Sequence, residues 1–303
     1  MKSVLIPTDF SDNAWNAITY GMQLFAKERV TFYLLNTYTP AITSSRFMAP
    51  MVDGVRVEDA VKAYSEKGLQ KTVAKIKTVF DNPLHDFETI SSFNLLIDEV
   101  KDVVETFKID LILTGTKGAS GIDEVFMGSN TVRIIKNTKK CPILVIPQHF
   151  EFVRPQEIAF ATDFTRFYAA SELMPLLQLA KSFKATIRIV HVQYEIKPLT
   201  ELQQFNLIML RRYMGDVEHY IHTVSELNSV SKTLEVFSEE MQIHLLAMLH
   251  YQHSYMEKMT REPVVKRTAF HAQVPLLVIP ELGLATSSNL NKVSELEGTI
   301  KVS

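Results

Sequence analysis

Four glycines crowd one stretch of this chain. Gly115, Gly118, Gly121 and Gly128 lie within fourteen residues of TGTKGASGIDEVFMGSNTVRII, in a 303-residue sequence that holds only ten glycines. Glycine lets a backbone approach a ligand closely and take positive φ without a Cβ penalty. Gly128-Ser129 then opens a helical pattern, and the first N–H groups of a helix lack intrahelical partners and carry partial positive charge. Phosphate binds well at such a start. Ser129 adds a hydroxyl and Lys117 a mobile cation. No Gly-Lys-Ser/Thr follows a four-residue spacer, so this is not a P-loop. The blander alternative is an ordinary flexible loop. Asp123 and Glu124, inside the same stretch, could approach Mg²⁺ on bound phosphates or be a plain exposed acidic pair.

The elements that must hold this loop come from a chain that repeats itself. SVLIPTDFSDNA near the start and EIAFATDFTRFYAA from Glu157 share an apolar run, Thr-Asp-Phe and a hydroxyl residue, with Thr8-Asp9-Phe10 and Thr162-Asp163-Phe164 offset by 154 positions. Each half closes alike, with CPILVIP at Cys141 and VPLLVIP at Val274, offset by 133. In the first copy the continuous apolar run Ser3 to Thr8 reads as a strand buried on both faces, and further strands fall at Thr31 to Tyr38, Phe87 to Ser91, Ile109 to Thr114 and Ile143 to Ile146. Helical spacing fills Asp12 to Lys27 (capped by Ser11), Val57 to Phe80, Leu95 to Phe107 and Asn130 to Asn137, with a linker around Pro40 and Pro50. In the second copy strands fall near Glu157 to Thr162, Thr186 to Val192, His219 to Val224, Ile243 to Leu249 and Leu276 to Ile279. Its helices fall near Thr165 to Phe183, Leu199 to Tyr213, Ser229 to Met241 and Pro263 to Ala269. Such alternation implies an α/β fold of two tandem open parallel five-stranded sheets with helices on both faces. The division expected is 1–150, 151–282 and a polar tail, 283–303, expected to be disordered. Ligands of such sheets sit beyond the carboxyl ends of the strands, at the topological switch point.

Gly115-x2-Gly118-x9-Gly128-Ser129 resembles the nucleotide loop of the universal stress protein family, G-x2-G-x9-G-[S/T], and VLIPTDFS and PILVIP are similar to that family's opening and closing strands. The resemblance spans about residues 1–280 as two tandem domains. It implies a Rossmann-like, adenine nucleotide alpha hydrolase-like fold that binds ATP or AMP, with or without Mg²⁺. Asp9 would then meet the adenosine and Thr37 edge the adenine, while Gly115, Lys117, Gly118, Gly128, Ser129 and Asn130 would surround the phosphates. Asn36-Thr37 departs from the family's frequent His-Val, and Asp9 could instead be a simple turn residue. The likeness further suggests that the fifth strands, otherwise bare apolar edges, pair within the chain as a pseudo-dimer. A homodimer of that unit and an unknown protein partner remain open.

The second copy lacks the loop. AMLHYQHSYMEKMTREPVVKR contains no glycine; Leu249 and Gln252 fall roughly where Gly115 and Gly118 would sit, and Arg261-Glu262 replaces Gly-Ser. Asp163 survives, but nucleotide binding is expected to be lost. No catalytic residue stands out: there is no general base, arginine finger or nucleophile elbow, so a slow ATPase is the most that is expected. Apart from nucleotide binding in stress response or signalling, the rival reading is a scaffold or chaperone-like interaction protein. His250-x2-His253 is the nearest approach to a metal site and lacks further ligands at suitable spacing. His191, at the strand end matching Asn36, and buried-looking Cys141 are expected to pack. A net charge of −2 argues against a nucleic-acid binder. One cysteine fits a reducing compartment, and no signal peptide or membrane span is apparent, so a cytoplasmic protein is expected.

Overall fold

A computed structural model describes residues 1–39, 51–52, 55–116, 127–251 and 273–281. Two compact units divide the chain at Arg154–Pro155. Both are α/β, as the alternation of periods requires.

The first unit contains β1 (Lys2–Pro7), α1 (Asp12–Leu24), β2 (Val30–Thr37), the two-residue strands β3 (Met51–Val52) and β4 (Val55–Arg56), α2 (Val57–Phe80), β5 (His85–Ser92), α3 (Leu96–Thr106), β6 (Leu111–Gly115), α4 (Ser129–Asn137) and β7 (Ile143–Ile146). Its sheet runs β7-β6-β1-β2-β5, with each pair parallel. Val4, Leu5 and Ile6 are wholly buried, as are Ile112, Leu113 and Leu144. Strands covered by helices on both faces have no wet side on which to place polar residues, which is why these runs do not alternate. β3 and β4 pair antiparallel in the stretch read as linker. Two-residue strands are too short to show a period in sequence.

The second unit contains β8 (Glu157–Ala161), α5 (Ala170–Phe183), β9 (Thr186–Gln193), α6 (Glu201–Met214), β10 (His219–Ser225), α7 (Val230–Glu240), β11 (Leu245–His250) and β12 (Leu276–Pro280). The strands run β10-β9-β8-β11-β12, and β10–β9, β9–β8 and β8–β11 are parallel. The helix expected over Pro263 to Ala269 lies outside the described residues. α5 starts at Ala170, five residues after the expected Thr165. Thr165 does not cap a helix as Ser11 does for Ala14 (3.2 Å). Its hydroxyl and N–H both turn back to Asp163 Oδ1, at 2.8 and 3.1 Å.

In each unit the strand order reverses beside the first strand. β2 and β5 lie on one side of β1, β6 and β7 on the other. The crevice between β1 and β6 is therefore the place where the loops leave in opposite directions and room for a ligand opens.

Candidate functional site

Thr8-Asp9-Phe10 leaves the carboxyl end of β1 in a tight turn. Thr8 is buried; its N–H bonds Leu35 O at 2.8 Å, and its hydroxyl accepts the Phe10 N–H at 3.1 Å. Its carbonyl accepts the Asn36 side-chain amide at 2.7 Å. Phe10 takes φ 65°, and its ring lies where a Cβ on Gly68 of α2 would stand, 2.4 Å from the nearest ring atom. The backbone is thus pinned on three sides, and Asp9 is carried at the tip, exposed, its Oδ1 accepting the Ser11 N–H at 3.1 Å.

Next to it, β6 ends at Gly115. A Cβ there would stand 2.4 Å from Asn13 Nδ2 on the first turn of α1, so the bare backbone is what lets that turn close over the strand end. This contact is between residues about a hundred apart in sequence, and Asn13 gave no signal of it beyond being a polar residue on the buried stripe of its helix. Thr131 Oγ1 donates to Gly115 O at 2.8 Å. Thr116 N–H bonds Ile146 O at 3.0 Å, its hydroxyl accepts the Gln148 N–H at 3.2 Å, and its carbonyl accepts the Gly128 N–H. That last bond closes the glycine loop at its base and sets the start of α4 over the end of β6.

α4 begins with Gly128 as its N-cap, with no side-chain cap and no acidic residue in the first turn. The N–H groups that open a nine-residue helix are therefore not capped by its own side chains, and their partial positive charge is not offset there. Gly128 has φ −57°, which any residue can adopt. Ser129 and Asn130 lie on the exposed first turn. Thr37, the last residue of β2, is half-buried and paired with Ser92. Of the residues singled out in sequence, Asp9, Thr37, Gly115, Gly128, Ser129 and Asn130 fall at the carboxyl ends of β1, β2 and β6 or at the start of α4. Lys117 and Gly118 lie outside the described residues, as do Gly121, Asp123 and Glu124.

The second unit preserves the turn and changes its surroundings. Val4 pairs Leu111 as Ile158 pairs Leu245, so the common register puts Leu249 at the place of Gly115 and Tyr251 at that of Lys117. Phe164 takes φ 57°. His191 Nδ1 lies 3.1 Å from Thr162 O, just as Asn36 holds Thr8. Burial lowers the His191 pKa against the opposing pull of the Thr162 carbonyl and Asp163, so the neutral ring donates from Nδ1 and packs on Phe164 at 4.9 Å. Tyr251 donates its hydroxyl to Asp163 Oδ1 at 2.7 Å, and burial first, then Asp163, pushes the phenol pKa well up. The Arg166 guanidinium lies over the Tyr251 ring at 4.8 Å and grips Glu172 with Nη2 at 2.8 and 3.0 Å. Leu249 cannot coexist with a helix turn placed as Asn13 is, and α5 accordingly begins four residues further from its Thr-Asp-Phe than α1 does. Gln252, His253 and Arg261-Glu262 lie outside the described residues.

Among the described residues no three His, Cys, Asp or Glu side chains gather as metal ligands, and no helix is long and apolar enough to cross a membrane. Cys141 is fully buried, its thiol donating to Ile109 O at 3.4 Å; burial, then the charge of Asp110, raises its pKa.

Fold and strand order define an α/β protein of the Rossmann-like kind, with its crevice beside β1. Residues 1–147 match the model of the universal stress protein family. A universal stress protein of Methanocaldococcus jannaschii is 27% identical over 150 residues, 48% of this chain and 81% of the relative. A second from the same organism is 23% identical over 153 residues, 48% of this chain and 94% of its own length. The crystal structure of a universal stress protein from Archaeoglobus fulgidus covers 92% of this chain and 96% of its own, with TM-score 0.66 and 18% identity. At that identity the likeness is one of fold.

Proposed function

We propose that the first unit binds an adenine nucleotide, ATP or AMP, in the crevice between β1 and β6, and that the protein acts as a nucleotide-responsive module in stress response or signalling. The observation that carries this reading is the Gly128-to-Thr116 bond. It seats the start of α4, uncapped by its own side chains, above a strand that ends in a glycine, beside the pinned Asp9 turn. Phosphates would lie against the amides of Gly128, Ser129 and Asn130, with Lys117 and Gly118 closing from the loop. Asp9 would accept from the ribose and Thr37 border the base. Mg²⁺, where present, would ride on the phosphates. Binding would shift the population of a form that a partner reads.

The second unit is read as a degenerate copy. Tyr251 stands on Asp163, and Leu249 takes the place of the strand-end glycine. We read the whole as a binding module, with any hydrolysis slow.

Calorimetric titration of the full chain with ATP and AMP, with and without Mg²⁺, tests this. One site per chain of micromolar affinity is expected, abolished by Gly128→Arg or Gly118→Gln. Saturable binding that survives both substitutions overturns the site, and no binding by the unaltered chain leaves the scaffold reading in its place. Phosphate release faster than the buffer blank would make the protein an enzyme.

A further inference from the structure

A helix that packs on a sheet by one side normally turns a polar stripe to solvent. α6 does not. Its inner side carries the buried Asn206, Leu210 and Met214. On its outer side Phe205 and Ile208 are 50% and 65% exposed. Leu202, one turn before Phe205, is exposed as well, and so is Phe167 on the turn after β8, its ring edge-on to Phe205 at 5.9 Å. This surface is firmly held. Thr200 caps α6 by accepting the Gln203 N–H at 3.3 Å, Gln203 donates to Asp163 O at 2.9 Å and Asn206 to Phe164 O at 2.8 Å. The apolar face is therefore shaped in advance, which keeps the ordering cost of docking on it small.

The charges at the ends of this face say what fits it. Glu201, Phe205, Ile208 and Arg212 follow one another at spacings of four, three and four, which lines them up along one stripe of a helix. The order is acid, apolar, apolar, base, and the spacing is the same read from either end. A second α6 laid antiparallel across the first, about a two-fold axis at the level of Asn206 and Leu207, sets Phe205 against the partner's Ile208 and Glu201 against the partner's Arg212, each contact occurring twice. Such self-complementarity is what a two-fold interface requires. A parallel pairing would set acid on acid and base on base, and would align the helix dipoles unfavourably as well. Glu201 and Arg212 are exposed, and among the described residues neither has an ion pair or a side-chain hydrogen bond within its own chain.

We propose that the outer face of α6 is a self-association surface, on which a second copy of this chain docks with its own α6 antiparallel. Phe205 and Ile208 form the apolar centre, Leu202 and Phe167 flank it, and the two Glu201–Arg212 pairs fix the direction. The docking does not depend on nucleotide. So few apolar side chains from each copy make a small interface, of the size that carries reversible rather than permanent association.

Sedimentation equilibrium of the full chain at low ionic strength tests it. Reversible association of the 34.5 kDa chain to twice that mass is expected, with a dissociation constant on the order of micromolar to a hundred micromolar. Glu201→Arg and Arg212→Glu each turn two attractions into two repulsions, and each alone is expected to weaken association about tenfold. An equimolar mixture of the two variants restores opposite charges at both contacts of the mixed pair, so it is expected to associate about as tightly as the unaltered chain. Neither a folding defect nor an altered helix dipole can be repaired by mixing. Phe205→Asp is expected to abolish the association. An unaltered chain that stays monomeric overturns the proposal. So does association that survives the single substitutions, which would place the contact on another face, or association that they weaken and the mixture fails to recover.

Discussion

Gly115→Ala places a single methyl where the first unit has no room for one. The new carbon would stand 2.4 Å from Asn13 Nδ2, 2.8 Å from Cγ and 3.0 Å from Oδ1, against an ordinary separation of about 3.5–4.0 Å. Asn13 is only 6% exposed, so its side chain has little space to swing into, and the first turn of α1 must lift from the sheet. Overpacking of this kind costs about 1–3 kcal/mol. For a unit of this size each kcal/mol moves the melting point by roughly 2–4 °C, giving an expected fall of about 2–12 °C. The chain contains one tryptophan, Trp15, two positions from Asn13 on the same helix and covered by Lys75 at 3.6 Å. Its fluorescence therefore follows α1 without interference from the second unit. Asn13→Ala removes the atoms that collide, and the double substitution should recover about 1 kcal/mol or more relative to the sum of the singles. Additivity within about 0.3–0.5 kcal/mol, or an unchanged melt for Gly115→Ala, would show that the close approach does not govern the strand end.

The other expectations are narrower. Lys117→Ala should weaken ATP more than adenosine in calorimetry, and equal losses would mean that its ammonium does not meet phosphate. Arg166→Ala leaves Glu172, wholly buried, without its guanidinium partner at 2.8 Å; a loss of about 3–5 kcal/mol is expected in denaturant unfolding of the second unit, and a loss under 1 kcal/mol would show the pair to be incidental. Cys141 should resist maleimide at pH 8 in the folded chain and react only as the first unit opens, and rapid labelling of native protein would contradict its burial. Tyr251→Phe should lower stability by about 1.5–3 kcal/mol through the lost bond to the Asp163 carboxylate. Because the fold raises the Tyr251 pKa, the unaltered residue's contribution is full below the phenol's ordinary value and fades as pH rises above it. A wild-type and variant difference that stays constant from pH 8 to 11 would refute that linkage.

Much of the framework is legible in the sequence for simple reasons. α2 and β7 begin and end at the residues read from spacing alone, because long periodic or wholly apolar runs leave few alternatives. Gly115, at the end of β6, and Gly128, at the start of α4, stand out in the sequence because glycines so close together have few structural uses. What sequence hides is whatever depends on a distant neighbour. Thr165 looks as good a helix cap as Ser11, yet its hydroxyl bonds Asp163, since Leu249 occupies the strand end where Gly115 leaves space in the other unit. Asn13 is invisible as a site residue for the same reason. Tyr251 became recognisable only when the register of β11 against β8 put it at the place of Lys117.

Phe10 and Phe164 both hold the left-handed backbone, at φ 65° and 57°, a conformation uncommon for a bulky side chain. Such strain persists where the surroundings over-determine it, and here the same device recurs beside two quite different neighbourhoods, one glycine-rich and one filled by a phenol. The Thr-Asp-Phe corner is then a hinge-pin of the architecture, independent of any passenger. The corner keeps its shape whether a glycine or a leucine ends the neighbouring strand, so the tripeptide alone marks a piece of framework and not a binding site.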